Sequence, residues 1–182
     1  MPPYRYSPLP KGSVRLLRLL PHRDEHSRIR CHLSVCPLLD SETSHHPFEA
    51  LSYTWASGDR PTSILVNNRE CPVGANLYAA LLHLRDRYMS RVMWVDAICI
   101  NQEDVTEKGH QVQSMAKIYA KASRVIVWLG EATATSDQAL EDIRMRSSQE
   151  PTAILNLIKQ PWFQRIWVSR RARSTLPLST EC

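Results

Sequence analysis

The sequence predicts an α/β domain: a central, mainly parallel sheet with flanking helices, preceded by an N-terminal β-hairpin. Two runs, VMWVD at 92–96 and RVIVWLG at 124–130, are apolar on both faces, as strands covered from both sides must be. Between them Val112, Met115, Tyr119 and Ala122 fall at helical spacing, which predicts a helix over about 106–122 and a parallel β-α-β crossover. Near the start, VRLLRLL at 14–20 precedes Ile29, Cys31, Leu33 and Val35, which alternate with polar residues in the period of a half-buried strand.

The remaining elements follow in order. The two N-terminal stretches are expected to pair across the charged connection PHRDEHS, and 37–47 reads as a loop. His45 and His46 in that loop have no third ligand at metal-binding spacing, so they read as loop residues. FEALSYTW at 48–55 is a short strand ending in the polar ASGDRP. ILVNNRECPV at 64–73 is a hairpin turning at Asn67 and Asn68, residues that tolerate left-handed backbone. From Asn76 the period changes, and Leu77, Leu81, Leu84 and Tyr88 form a helical stripe. Asp104 and Glu107 have the D-x-x-E spacing of a capping box before the second helix.

Composition narrows the function classes. The 182 residues, 43% hydrophobic, suit one core. No apolar run reaches the roughly 20 residues of a membrane helix, and no signal-peptide pattern opens the chain, so an intracellular, cytoplasmic protein without membrane association is expected. The five cysteines are an odd number without a C-x-x-C pair, which favours neither a disulfide framework nor a zinc site, and no metal ligands are assigned. Of the net charge of +5, Arg170, Arg171 and Arg173 against Glu181 supply +2, which reads as a solvated tail rather than a nucleic-acid surface. The glycine-rich nucleotide motifs and G-x-S-x-G are absent.

The densest chemistry is DAICINQED, 96–104. Loops leaving the carboxyl ends of strands line the crevice of an open α/β sheet, so Asp96 is expected at the lip of its strand. The competing account is structural: Asp96 and Asn101 satisfying loop donors, Asp104 capping a helix, Gln102 solvated. Cys99, between two isoleucines, reads as a buried thiol rather than a nucleophile. LSYTWASGD and DAICINQED are expected to converge on one crevice lined by Ser52, Tyr53, Trp55, Asp96, Asn101 and Gln102, with Tyr53 or Trp55 available to stack on a ring.

The succession VRLLRLLP, FEALSYTW, ANLYAALLHLR, WVDAICINQED, EKGHQVQSMAKIYAKASRVIVWLG and PWFQRIWV resembles the heterokaryon-incompatibility (HET) domain of filamentous fungi over about 14–168. The resemblance implies a signalling module in nonself recognition that triggers programmed cell death, engaged by upstream recognition proteins or by self-association. HET domains are in turn thought to be remotely similar to flavodoxin-like TIR domains, some of which cleave NAD. That analogy implies NAD as a possible substrate, no certain cofactor, and a catalytic carboxylate in EATATSDQALEDI, either Glu141 or Asp137; a solvated helix face explains both acids too.

Two departures from the family pattern stand out. Ala56 follows Trp55 where the family usually has glycine, and after PWFQRIWV the chain reads SRRARSTLPLSTEC instead of continuing into a further helical region. The expected organisation is therefore a flexible lead at 1–13, an incomplete HET domain at 14–168, and a disordered, non-family basic tail at 169–182, consistent with a truncated or misread gene product. An inert family member is a further alternative, with Trp162, Phe163, Ile166 and Trp167 deprived of their usual cover.

Overall fold

The structure, a computed structural model, describes residues 1–24, 26–38, 47–55, 62–144, 162 and 178–180. Among these, the elements are β1 (Ser13–Leu19), β2 (Arg30–Pro37), β3 (Glu49–Tyr53), β4 (Thr62–Val66), β5 (Arg69–Val73), α1 (Ala75–Leu84), β6 (Arg91–Trp94), α2 (Asp96–Cys99), α3 (Val105–Lys121), β7 (Arg124–Trp128), α4 (Ala134–Arg144) and β8 (Leu178–Thr180). The strands form one sheet in the order β5-β4-β2-β1-β6-β3-β7-β8.

The fold is α/β, but the sheet is mixed rather than mainly parallel. β1 pairs antiparallel with both β2 and β6, and β4 with β5. Parallel ladders join β6 to β3, β3 to β7, β7 to β8 and, briefly, β2 to β4. The two hairpins expected from the sequence are both present, and the N-terminal one does not stand apart from the sheet. They extend it, because the open edge of β6 offers unpaired backbone groups that β1 satisfies. The turn between β4 and β5 places Asn67 at φ 50° and Asn68 at φ 61°, the left-handed pair a two-residue hairpin requires.

The β-α-β unit is realised with one addition. β6 and β7 run parallel, joined through α3, but β3 lies between them and pairs with both. β3 leads through α1 to β6, and β6 leads back past β3 to β7. Right-handed crossovers taken in opposite directions put α1 and α3 on opposite faces of this part of the sheet.

Each helix is held by its buried stripe. α1 buries Leu77, Ala80, Leu81 and Leu84, and each leucine contributes about 1.5–3 kcal/mol. It ends at Leu84, so Tyr88, expected on the stripe, is exposed on the turn that follows, where Asp86 accepts from the backbone N–H groups of Tyr88 and Met89. On α3 the buried residues are Gln111, Ile118 and Tyr119. Val112, expected to be buried, is 52% exposed. The buried face is centred one residue earlier because Gln111 lies inward, donating to the Ser13 carbonyl at 3.0 Å. Tyr119 meets Trp94 edge-on at 5.4 Å and donates to the Leu51 carbonyl at 3.2 Å. Trp94 and Trp128 are both buried.

The two ends carry structure where the sequence suggested little. In the lead at 1–13, Tyr4 N–H donates to the Glu70 carbonyl and the Tyr6 hydroxyl to the Ile98 carbonyl. In the tail, Leu178–Thr180 pairs parallel with β7, whose outer edge offers a ready ladder. Trp162 is buried; Phe163, Ile166, Trp167 and the tail arginines lie outside the described residues.

Candidate functional site

The carboxyl ends of β3, β6 and β7 lie side by side, and the polar residues that follow them meet there. Trp55, just past β3, donates its indole N–H to Asp96 Oδ1 at 3.3 Å, so the two loops expected to converge do so through this pair. Asp96 opens the single turn of α2, where Oδ1 also accepts from the Ala97 N–H at 2.8 Å. Gln102 folds back to donate to the Asp96 carbonyl at 3.0 Å. Asn76, at the start of α1, donates to the Thr54 carbonyl and accepts from the Trp128 indole, both at 2.8 Å, tying the ends of β3 and β7 together.

The exposure of these groups decides what each can do. Trp55 is 50% exposed and Asp96 only 8%, so the indole faces solvent while a largely buried carboxylate holds its N–H edge. Such a surface suits a planar ring. Asn101 and Gln102 flank it at intermediate exposure. Tyr53 and Ser52 belong to the core instead: both are buried, and the Ser52 hydroxyl accepts from the Trp162 indole at 2.9 Å. Their positions in β3 explain this, since β3 lies between two neighbours and is covered on both faces. Stacking is therefore left to Trp55.

Asp137 and Glu141 lie on α4, both exposed. Glu141 faces Arg144 of its own helix at 3.9 Å. The Asp137 backbone N–H closes the first turn of α4 on Thr133. Cys99 is fully buried, and burial pushes its thiol up to about 12, which removes it as a nucleophile at neutral pH. Among the described residues no group of three metal-ligating side chains exists.

Sequence reasoning missed the charged group beneath the crevice. Arg15, 2% exposed in β1, makes a bidentate pair with Glu107 of α3, the second contact 2.9 Å long, and donates to the carbonyls of Cys99 and Ser7. Glu107 also accepts from the Asn101 N–H at 2.7 Å, while its own N–H caps onto Asp104 at 2.9 Å. The capping-box spacing is thus half used: Glu107 turns inward to Arg15 rather than back to Asp104. The available signal was Arg15 itself, the one charge inside the run VRLL, at a position its neighbours bury.

Residues 48–170 match the family described as Heterokaryon incompatibility protein (HET). A relative, Heterokaryon incompatibility protein 6, OR allele, from Neurospora crassa, is 32% identical over 145 residues, covering 72% of this chain and 21% of the relative. This chain therefore spans about a fifth of that relative's length. No solved structure matches.

Proposed function

Because the chain belongs to the heterokaryon-incompatibility (HET) family, we propose that it is a signalling module of fungal nonself recognition whose engagement leads to programmed cell death. Upstream recognition proteins, or copies of the domain itself, supply the trigger, and the module acts in the cytoplasm. The observation that carries this reading is that the matched span contains every crevice group, from Trp55 and Asn76 to Asp96, Gln102 and Trp128. No described helix is long and apolar enough to cross a membrane.

The strand order supports a finer fold reading. Counting β3, β6 and β7 as first, second and third, the order β6-β3-β7 follows the 2-1-3 start of flavodoxin-like sheets. The connections leave β3 and β7 in opposite directions, so their carboxyl ends flank a topological switch point, where such folds bind ligands. Trp55 and Trp128 mark its two sides.

That placement favours a second reading, a clustering-activated enzyme that consumes NAD. Trp55 would stack on a ring of the substrate, and Glu141 or Asp137 would stabilise the positive charge that develops as the bond to nicotinamide breaks. Both readings are tested by fusing the domain, extended to a family-like C-terminal region, to an inducible clustering module in a fungal host. Growth arrest on induction is expected, and a stable, well-expressed fusion without toxicity refutes the death-signalling reading. Nicotinamide release by the purified, clustered protein separates the two readings: its absence in a toxic fusion leaves signalling by association.

A further inference from the structure

A cavity of about 400 Å³ lies between the amino-terminal lead and α3, with Leu38, the residue after β2, at its side. Its size falls in the range of small-molecule sites. Leu9, Pro10 and Leu38 supply apolar wall, and Lys11, Gln111 and Lys117 supply polar groups. Two hydrogen bonds tie these walls together: the Ser13 carbonyl accepts from Gln111 Nε2 at 3.0 Å, and the Gly12 carbonyl accepts from the Leu38 N–H at 2.8 Å.

Gln111 marks the cavity as more than a fold between elements. It is 6% exposed, and its Oε1 has no hydrogen-bond partner. The Ser13 carbonyl fixes the orientation of the amide, since turning it over would set two acceptors against each other; the atom left over is therefore an acceptor. A buried acceptor without a donor is costly, and an occupant that brings an N–H relieves that cost.

The charge of the lining follows from what its acids already do. Glu107 has both oxygens on Arg15 and a further donor in the Asn101 N–H. Asp104 Oδ1 caps α3 by accepting from the Glu107 N–H at 2.9 Å. Among the described residues neither Lys11 nor Lys117 is engaged in an ion pair. The cavity thus offers one buried acceptor and two ammonium groups, which calls for an N–H close to a negative charge.

We propose that this cavity binds an acylated amino acid, an amide N–H beside a free carboxylate, either as a small molecule or as the carboxyl end of a peptide. The N–H donates to Gln111 Oε1, the carboxylate meets Lys11 and Lys117, and an aliphatic side chain lies against Leu9, Pro10 and Leu38. The site is separate from the Trp55–Asp96 pair, and its occupancy does not depend on the death-signalling reading.

The test is calorimetric titration of the full chain at low salt with acetyl-Gly-Ala-Leu and, separately, with acetyl-leucine. Saturable binding of at least one probe is expected, and the tighter of the two identifies the source as a peptide end or a free small molecule. Amidating the carboxyl group and methylating the leucine nitrogen should each weaken binding at least tenfold. These two arms probe both contacts on the ligand, so they hold whatever an exchange at Gln111 does to the lead. Lys11→Glu combined with Lys117→Glu should weaken binding by the same factor, with circular dichroism showing the variant folded, and Trp55→Ala should leave it unchanged. Saturable binding of neither probe, or binding that amidation, nitrogen methylation or the lysine exchanges leave intact, overturns the proposal; loss in Trp55→Ala overturns it too, by moving the ligand to the crevice.

Discussion

Asp96 and Glu107 stand eleven positions apart on one polar stretch, and the structure gives them opposite tasks. Glu107 is almost wholly withdrawn from water, its side chain 9% exposed, with both oxygens on Arg15 and a third donor from the Asn101 N–H. Asp96 is just as buried, at 8%, but holds a half-exposed indole at the long distance of 3.3 Å. One carboxylate locks β1, the α2–α3 loop and α3 together; the other backs a surface. Density of polar residues after a strand therefore marks two layers, a clamp below and a crevice above.

The clamp is the place to look for the largest effect. Removing one partner leaves the other charged and buried, which costs about 3–5 kcal/mol. Arg15→Met and Glu107→Gln should each lower the unfolding free energy obtained from urea denaturation by that amount or prevent folding. The double exchange Arg15→Met with Glu107→Leu should recover part of the loss, since neither charge is then stranded. A single exchange costing under about 1 kcal/mol by urea denaturation would show that the pair is not a clamp.

Why the crevice was legible and the clamp was not follows from what each leaves in the sequence. Doubly apolar runs announce β6 and β7, and Asn67-Asn68 announces a left-handed turn. The loops after β3 and β6 inherit their place from those strands, so their convergence is legible in the sequence, although the Trp55–Asp96 contact itself is not. Arg15 and Glu107 are 92 positions apart, and nothing local says that a strand arginine turns inward. The same limit hid the sheet order: hairpins are local, but the docking of β1 on β6 is not. Within α3 the stripe was displaced by one because Gln111, polar in sequence, spends its amide on Ser13 and is buried.

A smaller effect is expected at the opposite, amino edge of the parallel strands, where Glu49 receives Arg91 at 2.8 Å and also Arg124. Burial pushes this carboxyl up, but the hydrogen bonds and charges of the two arginines outweigh burial and hold it below its ordinary value of 4.5. A depressed carboxylate stabilises the fold above its unfolded pKa, and that contribution disappears as pH falls through the folded value. Glu49→Gln should thus cost about 1–2 kcal/mol at pH 7 and progressively less as pH falls below 4.5, flattening the acid limb of a stability profile. A cost that stays constant down to pH 3 would assign the loss to packing.

The smallest change in stability is expected at Trp55, and there the contrast between clamp and crevice is sharpest. Half of its surface faces water, and its hydrogen bond to Asp96 is at the long end of the useful range. Trp55→Ala should therefore move stability by less than about 1 kcal/mol, against several for Arg15. Fluorescence gives an independent reading, because among the described tryptophans Trp94, Trp128 and Trp162 are buried while Trp55 is not. Iodide should quench a component of wild-type emission that the variant lacks. If the crevice serves the function proposed above, the same exchange in the clustered fusion abolishes growth arrest while the protein stays folded. A variant that is fully toxic, with the quenchable component gone and stability kept, would show that the exposed indole is a bystander and that activity lies elsewhere on the domain.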